Sequence, residues 1–238
     1  MTTPAEREAE RIRAEYERRE REIGREFYSP TRPANLFLRQ GQQRALLDAL
    51  SRADLLPLGS RSILEIGCGL GRWLTAFEEF GAARDKLSGI DLDEGRILEA
   101  RTRFQGADLR VGDATQLPWP DTSFDIVFQS LVFTSILDHH VREQVAAEMR
   151  RVLRPDGAVL WYDFRYDNPA NASVRGVRAA EIAKLFPGWT VDLQRVSLAP
   201  PLARRIVGRS WLVASALERL RVLNTHYFGV IRPRRSAG

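Results

Sequence analysis

Residues 62–80 read SILEIGCGLGRWLTAFEEF. The first five, SILEI (62–66), form an apolar run of strand length. The rest, CGLGRWLTAFEEF (68–80), opens on glycines and continues with helical spacing. A strand that turns through glycine into a helix is the opening unit of a parallel α/β sheet. Glycine lets such a turn lie close against a ligand, where a Cβ would collide with it.

The alternation continues downstream. KLSGIDL (86–92) is a second strand ending in an acid, and EGRILEARTRF (94–104) is a helix. DLRVGDA (108–114) is a third strand, again ending in an acid. FDIVFQSLV (124–132) is an apolar fourth strand, and HHVREQVAAEMRRVL (139–153) is a helix. The turn RPDG (154–157) leads into a fifth strand, AVLWYDF (158–164). Strands alternating with helices predict a doubly wound α/β fold with helices on both faces of the sheet.

The end of the chain leaves this alternation. RAAEIAKLF (178–186) reads as helix and WTVDLQRVSL (189–198) as strand. LARRIVGRSWLVASALERL (202–220) reads as one helix after Pro200 and Pro201, and THYFGVIR (225–232) as a last strand. Upstream, residues 36–55 form an amphipathic helix that LPLG (56–59) ends. Residues 4–27 are rich in Glu and Arg at helical spacing, with a thin stripe of Ile12, Tyr16, Ile23 and Phe27. That stripe would pack on the domain edge or on a second chain, giving a homodimer. The expected division is a helical extension (1–58), an α/β domain (59–232) with a helical insertion near 200–220, and a basic, disordered tail (233–238).

Three features stand at the carboxyl ends of successive strands, where open α/β sheets bind ligands. The first is Glu65-Ile66-Gly67-Cys68-Gly69-Leu70-Gly71. Its third glycine comes one residue too early for the dinucleotide fingerprint, and no Gly-Lys-Ser/Thr follows to make a P-loop. Cys68 reads as a small residue filling a tight turn rather than a reactive thiol. The second feature is Asp91, placed where a carboxylate can accept both hydroxyls of a ribose. A helix N-cap is the plainer role. The third is Gly112-Asp113-Ala114, whose carboxylate can accept from an adenine amino group. A turn aspartate is the plainer role there.

Together at these spacings, the three resemble the class I methyltransferases that use S-adenosylmethionine (SAM). ILEIGCGLGRWL, GIDLDEGRILEAR, GDATQLPWPDTSFDIVFQSLVF and MRRVLRPDGAVLWYDF carry the resemblance, over about residues 60–164. It implies a Rossmann-like seven-stranded sheet in the order 3-2-1-4-5-7-6 with an antiparallel last strand. It implies that Gly67, Gly69 and Gly71, with Cys68 between them, wrap the methionine and ribose portions. Glu65 would anchor the methionine ammonium, Asp91 the ribose hydroxyls, and Leu92 the adenine face. Asp113 would hold the adenine amino group, with the Ala114 amide on the ring, and Gln129 would face the methionine moiety. From residue 160 onward the chain also resembles a bacterial subgroup associated with polysaccharide or natural-product gene clusters.

Methyl transfer to oxygen commonly uses a base, and histidine titrates in the right range. His139 and His140 follow the fourth strand. Either they act on the acceptor or Asp138 caps a helix that exposes both. His226 suits a structural role. Asp163, ending strand five, is placed to orient an acceptor hydroxyl, or simply faces a loop. The resulting expectation is an O-methyltransferase acting on a small molecule or a saccharide. The alternatives are a SAM-binding module without turnover, an N- or C-methyltransferase, or a nicotinamide oxidoreductase.

Composition bounds the rest. The 238 residues carry a formal charge of +5, with 36 Lys and Arg against 31 Asp and Glu. Nearly all the basic residues are Arg. SAM bears no phosphate, so the cofactor does not account for this charge. The motifs give no support for nucleic-acid methylation, and no metal-binding spacing occurs. A single cysteine cannot form an internal disulfide, and the N-terminus lacks the apolar core of a signal peptide, which together predict a cytoplasmic protein. The mixture of Arg and apolar residues in 202–220 suits a lid or core-packing helix, or contact with a membrane surface.

Overall fold

The computed structural model describes residues 2–168 and 171–234. Helix α1 (Pro4–Ile23) begins with a capping box: the Glu6 amide donates to Thr3 Oγ1, and the Thr3 amide to Glu6 Oε2. Pro4 suits the first helical position, and Gly24 at φ +68° ends the helix. Helix α2 (Pro33–Arg52) follows. The parallel strands are β1 (Ile63–Ile66), β2 (Leu87–Asp91), β3 (Asp108–Val111), β4 (Phe124–Ser130) and β5 (Leu153–Phe164). Between them run α3 (Arg72–Glu79), α4 (Glu94–Arg103), α5 (Val132–Ser135) and α6 (His139–Val152). Then come α7 (Ala179–Leu185), β6 (Trp189–Leu198), α8 (Pro200–Ile206), α9 (Trp211–Arg219) and β7 (Asn224–Pro233).

Among the described residues seven strands form one sheet, in the order β3-β2-β1-β4-β5-β7-β6. Strand β7 runs antiparallel to both β5 and β6. This is the doubly wound arrangement and strand order expected. Strand β1 sits in the middle and is buried along its whole length, which is why ILEI is continuously apolar except for Glu65. One apolar layer joins the sheet to α2, α3 and α4 through Leu46, Leu50, Leu74, Phe77, Ile97 and Phe128. The other joins it to α6 and α7 through Val127, Val145, Met149, Trp161 and Ile182.

Several boundaries differ from the sequence reading. The segment 202–220 is two helices, α8 and α9, broken at Val207–Ser210. Ser210 caps the second by accepting the Val213 amide at 3.2 Å. Strand β3 stops at Val111 because Asp113 Oδ1 accepts the Thr115 amide and turns the chain. Strand β4 stops at Ser130, where Leu131 at φ +61° opens α5. Strand β5 reaches back to Leu153 through an irregularity in its register with β4 where a turn was expected. Of the expected tail, residues 235–238 lie outside the described residues.

Candidate functional site

The carboxyl ends of β1 to β4 meet at a cavity of about 520 Å³. Gly67 and Gly69 after β1, Asp91 and Leu92 at β2, Asp113 and Ala114 after β3, Ser130 at the end of β4 and Val132 at the start of α5 all line it. These include six of the ten residues expected to hold a cofactor.

Backbone and carboxylate together shape the glycine turn. The amides of Gly67 and Cys68 both donate to the Ile90 carbonyl, at 2.8 and 3.1 Å. Gly67 has φ +67°, and a Cβ there would lie 2.7 Å from Val132 Cγ2. Asp91 Oδ2 accepts the Gly69 amide at 2.8 Å, and Oδ1 accepts the Asp93 amide at 3.0 Å. Burial raises the Asp91 carboxyl above the ordinary aspartate range, and the two amides oppose that shift. Asp91 is not the cap of α4: Asp93 takes that role, accepting the Arg96 amide.

Four expected cofactor residues stand behind the wall rather than on it. Gly71 is the N-cap of α3 at φ +78° and faces Phe104. Cys68 packs its sulfur over Gly89, where a Cβ would lie 2.7 Å away. Burial pushes the Cys68 thiol far up, which makes it inert and space-filling. Gln129 is buried and holds the β4–α5 turn, its Oε1 accepting the Val132 amide at 3.1 Å. Glu65 is buried, and its Oε2 has no hydrogen-bond partner. Burial pushes this carboxyl well up, against the pull of Arg72. A buried carboxyl oxygen left without a partner is costly.

The expected catalytic residues do not reach the cavity. His139 and His140 occupy the first turn of α6, both exposed and both directed at Glu143, at 3.2 and 3.4 Å. Asp138 caps that helix through the amides of His140 and Val141. His226 is buried on β7, stacked on Tyr162 at 4.8 Å, and burial lowers its pKa to about 3. None of the three histidines lines the cavity. Asp163 is buried at the end of β5, where burial raises its pKa to about 7. It accepts the amides of Thr134 and Phe164 at 3.1 and 2.8 Å. Buried Arg142 lies beside it, bound to the Ile136 carbonyl at 2.7 Å and to Glu181 at 2.5 Å. This group fixes residues 134–136, two of which line the cavity.

Among the lining residues that the sequence reading missed, seven lie on α1. Ala5, Glu8, Ala9, Ile12, Arg13, Tyr16 and Glu17 form a wall of the cavity. Glu8 accepts the Leu137 amide, Arg11 donates to the Ser135 carbonyl, and Arg13 Nε donates to the Leu92 carbonyl at 3.2 Å. The Arg96 guanidinium stands 4.7 Å above the Tyr16 ring. The signal was present as apolar residues at 5, 9, 12 and 16, which is helical spacing. Two of them are alanines, too small to stand out among so many charges. Among the described residues no cluster of His, Cys, Asp and Glu is placed to hold a metal, and no helix is long and apolar enough to cross a membrane.

Comparison with known proteins agrees with this geometry. A family model described as a methyltransferase domain matches residues 64–161. A probable S-adenosylmethionine-dependent methyltransferase of Mycolicibacterium smegmatis is 33% identical over 134 residues, 53% of this chain and 50% of that protein. The 27-O-demethylrifamycin SV methyltransferase of Amycolatopsis mediterranei is 34% identical over 145 residues, covering 56% and 50%. The chain thus spans about half the length of the curated relatives it matches. A crystal structure of a SAM-dependent methyltransferase from Mesorhizobium loti superposes with a TM-score of 0.56 at 19% identity, over 79% of this chain and 98% of that one. That likeness is one of fold.

Proposed function

We propose that this chain, which carries a type 11 methyltransferase domain on the class I seven-stranded fold, moves a methyl group from SAM to a hydroxyl of a small, largely apolar molecule. The observation that carries the reading is the cavity joining the Gly67–Gly69 turn, Asp91 and Asp113 at one sheet edge.

The residues present fit the cofactor. Asp91, on the cavity wall, suits a pair of vicinal hydroxyls. Leu92 and Ala114 offer apolar surface beside Asp113, whose Oδ2 has capacity for an amino group. When bound, SAM supplies a methyl group on a positively charged sulfur. The protein's part is alignment and exclusion of water, and good orientation alone is worth roughly 7–11 kcal/mol. Helix α1 roofs the cavity, and α5 with the residues after it, held by Asp163 and Arg142, forms a side wall.

Ala5, Ala9, Ile12, Ile136, Val141 and Val145 give part of that cavity an apolar surface. That apolar part is what supports a small apolar acceptor in this reading. Oxygen as the acceptor atom draws support from the similar methyltransferase named for a 27-O-demethyl substrate. No histidine lines the cavity, which supports transfer driven by alignment rather than by a histidine base. The test is release of S-adenosylhomocysteine (SAH) from SAM across a panel of apolar phenols, hydroxylated macrolides and nucleotide sugars. Turnover on the first two classes supports the reading. SAH binding without turnover on any acceptor would point to a regulatory module. Turnover on nucleotide sugars alone would overturn the acceptor class.

A further inference from the structure

The insertion between β6 and β7 carries a surface that the proposed reaction does not use. Strand β6 runs parallel to β5, so α8 and α9 rise from the same carboxyl edge of the sheet as the cavity. Helix α9 docks on α2 through buried Ala214 and the contact of Trp211 with Phe37. Its other side is turned to solvent. Leu212 is 79% exposed, and in the segment that follows Leu220 is 66% and Val222 72% exposed, with Val213 and Leu223 beside them. Isolated exposed leucines are ordinary, but five large apolar side chains within twelve residues are not.

The charge around this surface has one sign. Arg205 and Arg209 precede α9, Arg219 ends it, and Arg221 follows it. Among the described residues none of the four forms an ion pair with a carboxylate. From residue 193 to the end of the chain one acid occurs, Glu218. It is turned inward, its side chain 16% exposed, and is paired with Arg44 at 3.0 Å.

We propose that α9 and residues 220–223 form a docking surface for an anionic lipid membrane. Exposed apolar side chains flanked by arginines form the pattern of a helix that lies in a lipid interface, with apolar residues entering the acyl boundary and cations meeting headgroup phosphates. A second copy of this chain is a poor occupant, because it would set the same four arginines against these with no carboxylate to offset them. The surface also accounts for part of the positive charge that SAM leaves unexplained. Docked in this way, the protein would hold the cavity's edge of the sheet near the membrane, where apolar acceptors concentrate.

The test is flotation of the full chain with vesicles of phosphatidylcholine alone and of phosphatidylcholine mixed in equal parts with phosphatidylglycerol. Two variants accompany the wild type: Arg205→Glu with Arg209→Glu, and Leu212→Ser with Leu220→Ser and Val222→Ser. These positions are exposed, so circular dichroism and SAH binding should match the wild type. The wild type should float with the anionic vesicles and not the neutral ones, and should be released as salt is raised. Each arginine near an acidic surface contributes on the order of fivefold in binding, so the charge-reversal variant should lose at least tenfold, and the serine variant, which removes the apolar area that enters the acyl boundary, should lose on the order of tenfold as well. Failure of the folded wild type to float, or variants that float as well as it does, would overturn the proposal. A wild type that sediments as a dimer and dissociates in the serine variant, without flotation, would also overturn it and assign the face to self-association.

Discussion

Asp91 Oδ2 accepts the Gly69 amide at 2.8 Å, so the carboxylate ending β2 holds the turn that follows β1. One side chain thereby shapes the glycine loop and faces the cavity. Asp91→Ala removes the loop's anchor and the proposed ribose acceptor together. Hydrogen bonds to a charged group are worth about 1.5–3 kcal/mol each. Calorimetric titration with SAH should therefore show affinity reduced at least about tenfold, with the protein still folded. Asp91→Asn, which keeps one acceptor oxygen, should fall in between. Unchanged affinity in the alanine variant would remove the cavity from consideration as the cofactor site.

Helix α1 roofs the cavity and is pinned by Glu8 to the Leu137 amide and by Arg11 to the Ser135 carbonyl. It also carries many trypsin sites, Arg11, Arg13, Arg18 and Arg19 among them. A ligand filling the cavity adds contacts that the roof loses on opening, so SAH should slow tryptic cleavage within α1 severalfold. Glu8→Ala frees one latch and should speed cleavage without ligand. Cleavage rates indifferent to saturating SAH would mean that the space beneath α1 is not where it binds.

The parts legible in the sequence were those with strong periodicity or a glycine signature. ILEI, the acids Asp91 and Asp113, and the sheet order followed from apolar runs and from the resemblance they carry. What escaped reading was side-chain direction and long-range contact. Glu65 and Gln129 stand at the expected strand positions, yet both point behind the cavity wall. His139 and His140 follow β4, as expected, but Asp138 caps α6 so that both project into solvent. The role of α1 depends on contacts such as Arg11 with Ser135, more than a hundred residues away, which local spacing does not encode. The break between α8 and α9 was readable in principle: Gly208 followed by Ser210 is a stop and a cap.

Gly71 separates a steric demand from a functional one. At φ +78° an alanine pays about 1–2 kcal/mol for the left-handed backbone, and its Cβ would come within 2.4 Å of Phe104 Cε2. Overpacking of that kind costs about 1–3 kcal/mol more. Gly81 at φ +96° has nothing within 4 Å of such a Cβ, so Gly81→Ala bears the backbone cost alone. Urea unfolding should rank Gly71→Ala as the more damaging by the packing cost. Adding Phe104→Leu to it should relieve the crowding and leave the backbone cost. Equal losses at the two glycines would show that Phe104 moves aside freely.

Two buried groups give stability opposite slopes against pH. Burial raises Asp163 to about 7 from its ordinary 3.8, so between those values the folded state binds the extra proton. Its contribution is fully present below about pH 4 and is lost as pH rises through 7. Burial lowers His226 to about 3 from 6.5, so in that window the unfolded state binds the extra proton. Its contribution is present above 6.5 and is lost as pH falls toward 3. Each slope is on the order of 1.4 kcal/mol per pH unit, and between about pH 4 and 6.5 they offset one another. Asp163→Asn should therefore gain stability relative to wild type between pH 5 and 7, by roughly 2–3 kcal/mol. His226→Phe should lose about 2 kcal/mol relative to wild type over the same interval. Glu65 cancels in both differences because it is common to all three proteins. Urea midpoints at the two pH values measure the slopes, and parallel behaviour of either variant with wild type would show that its group titrates alike folded and unfolded.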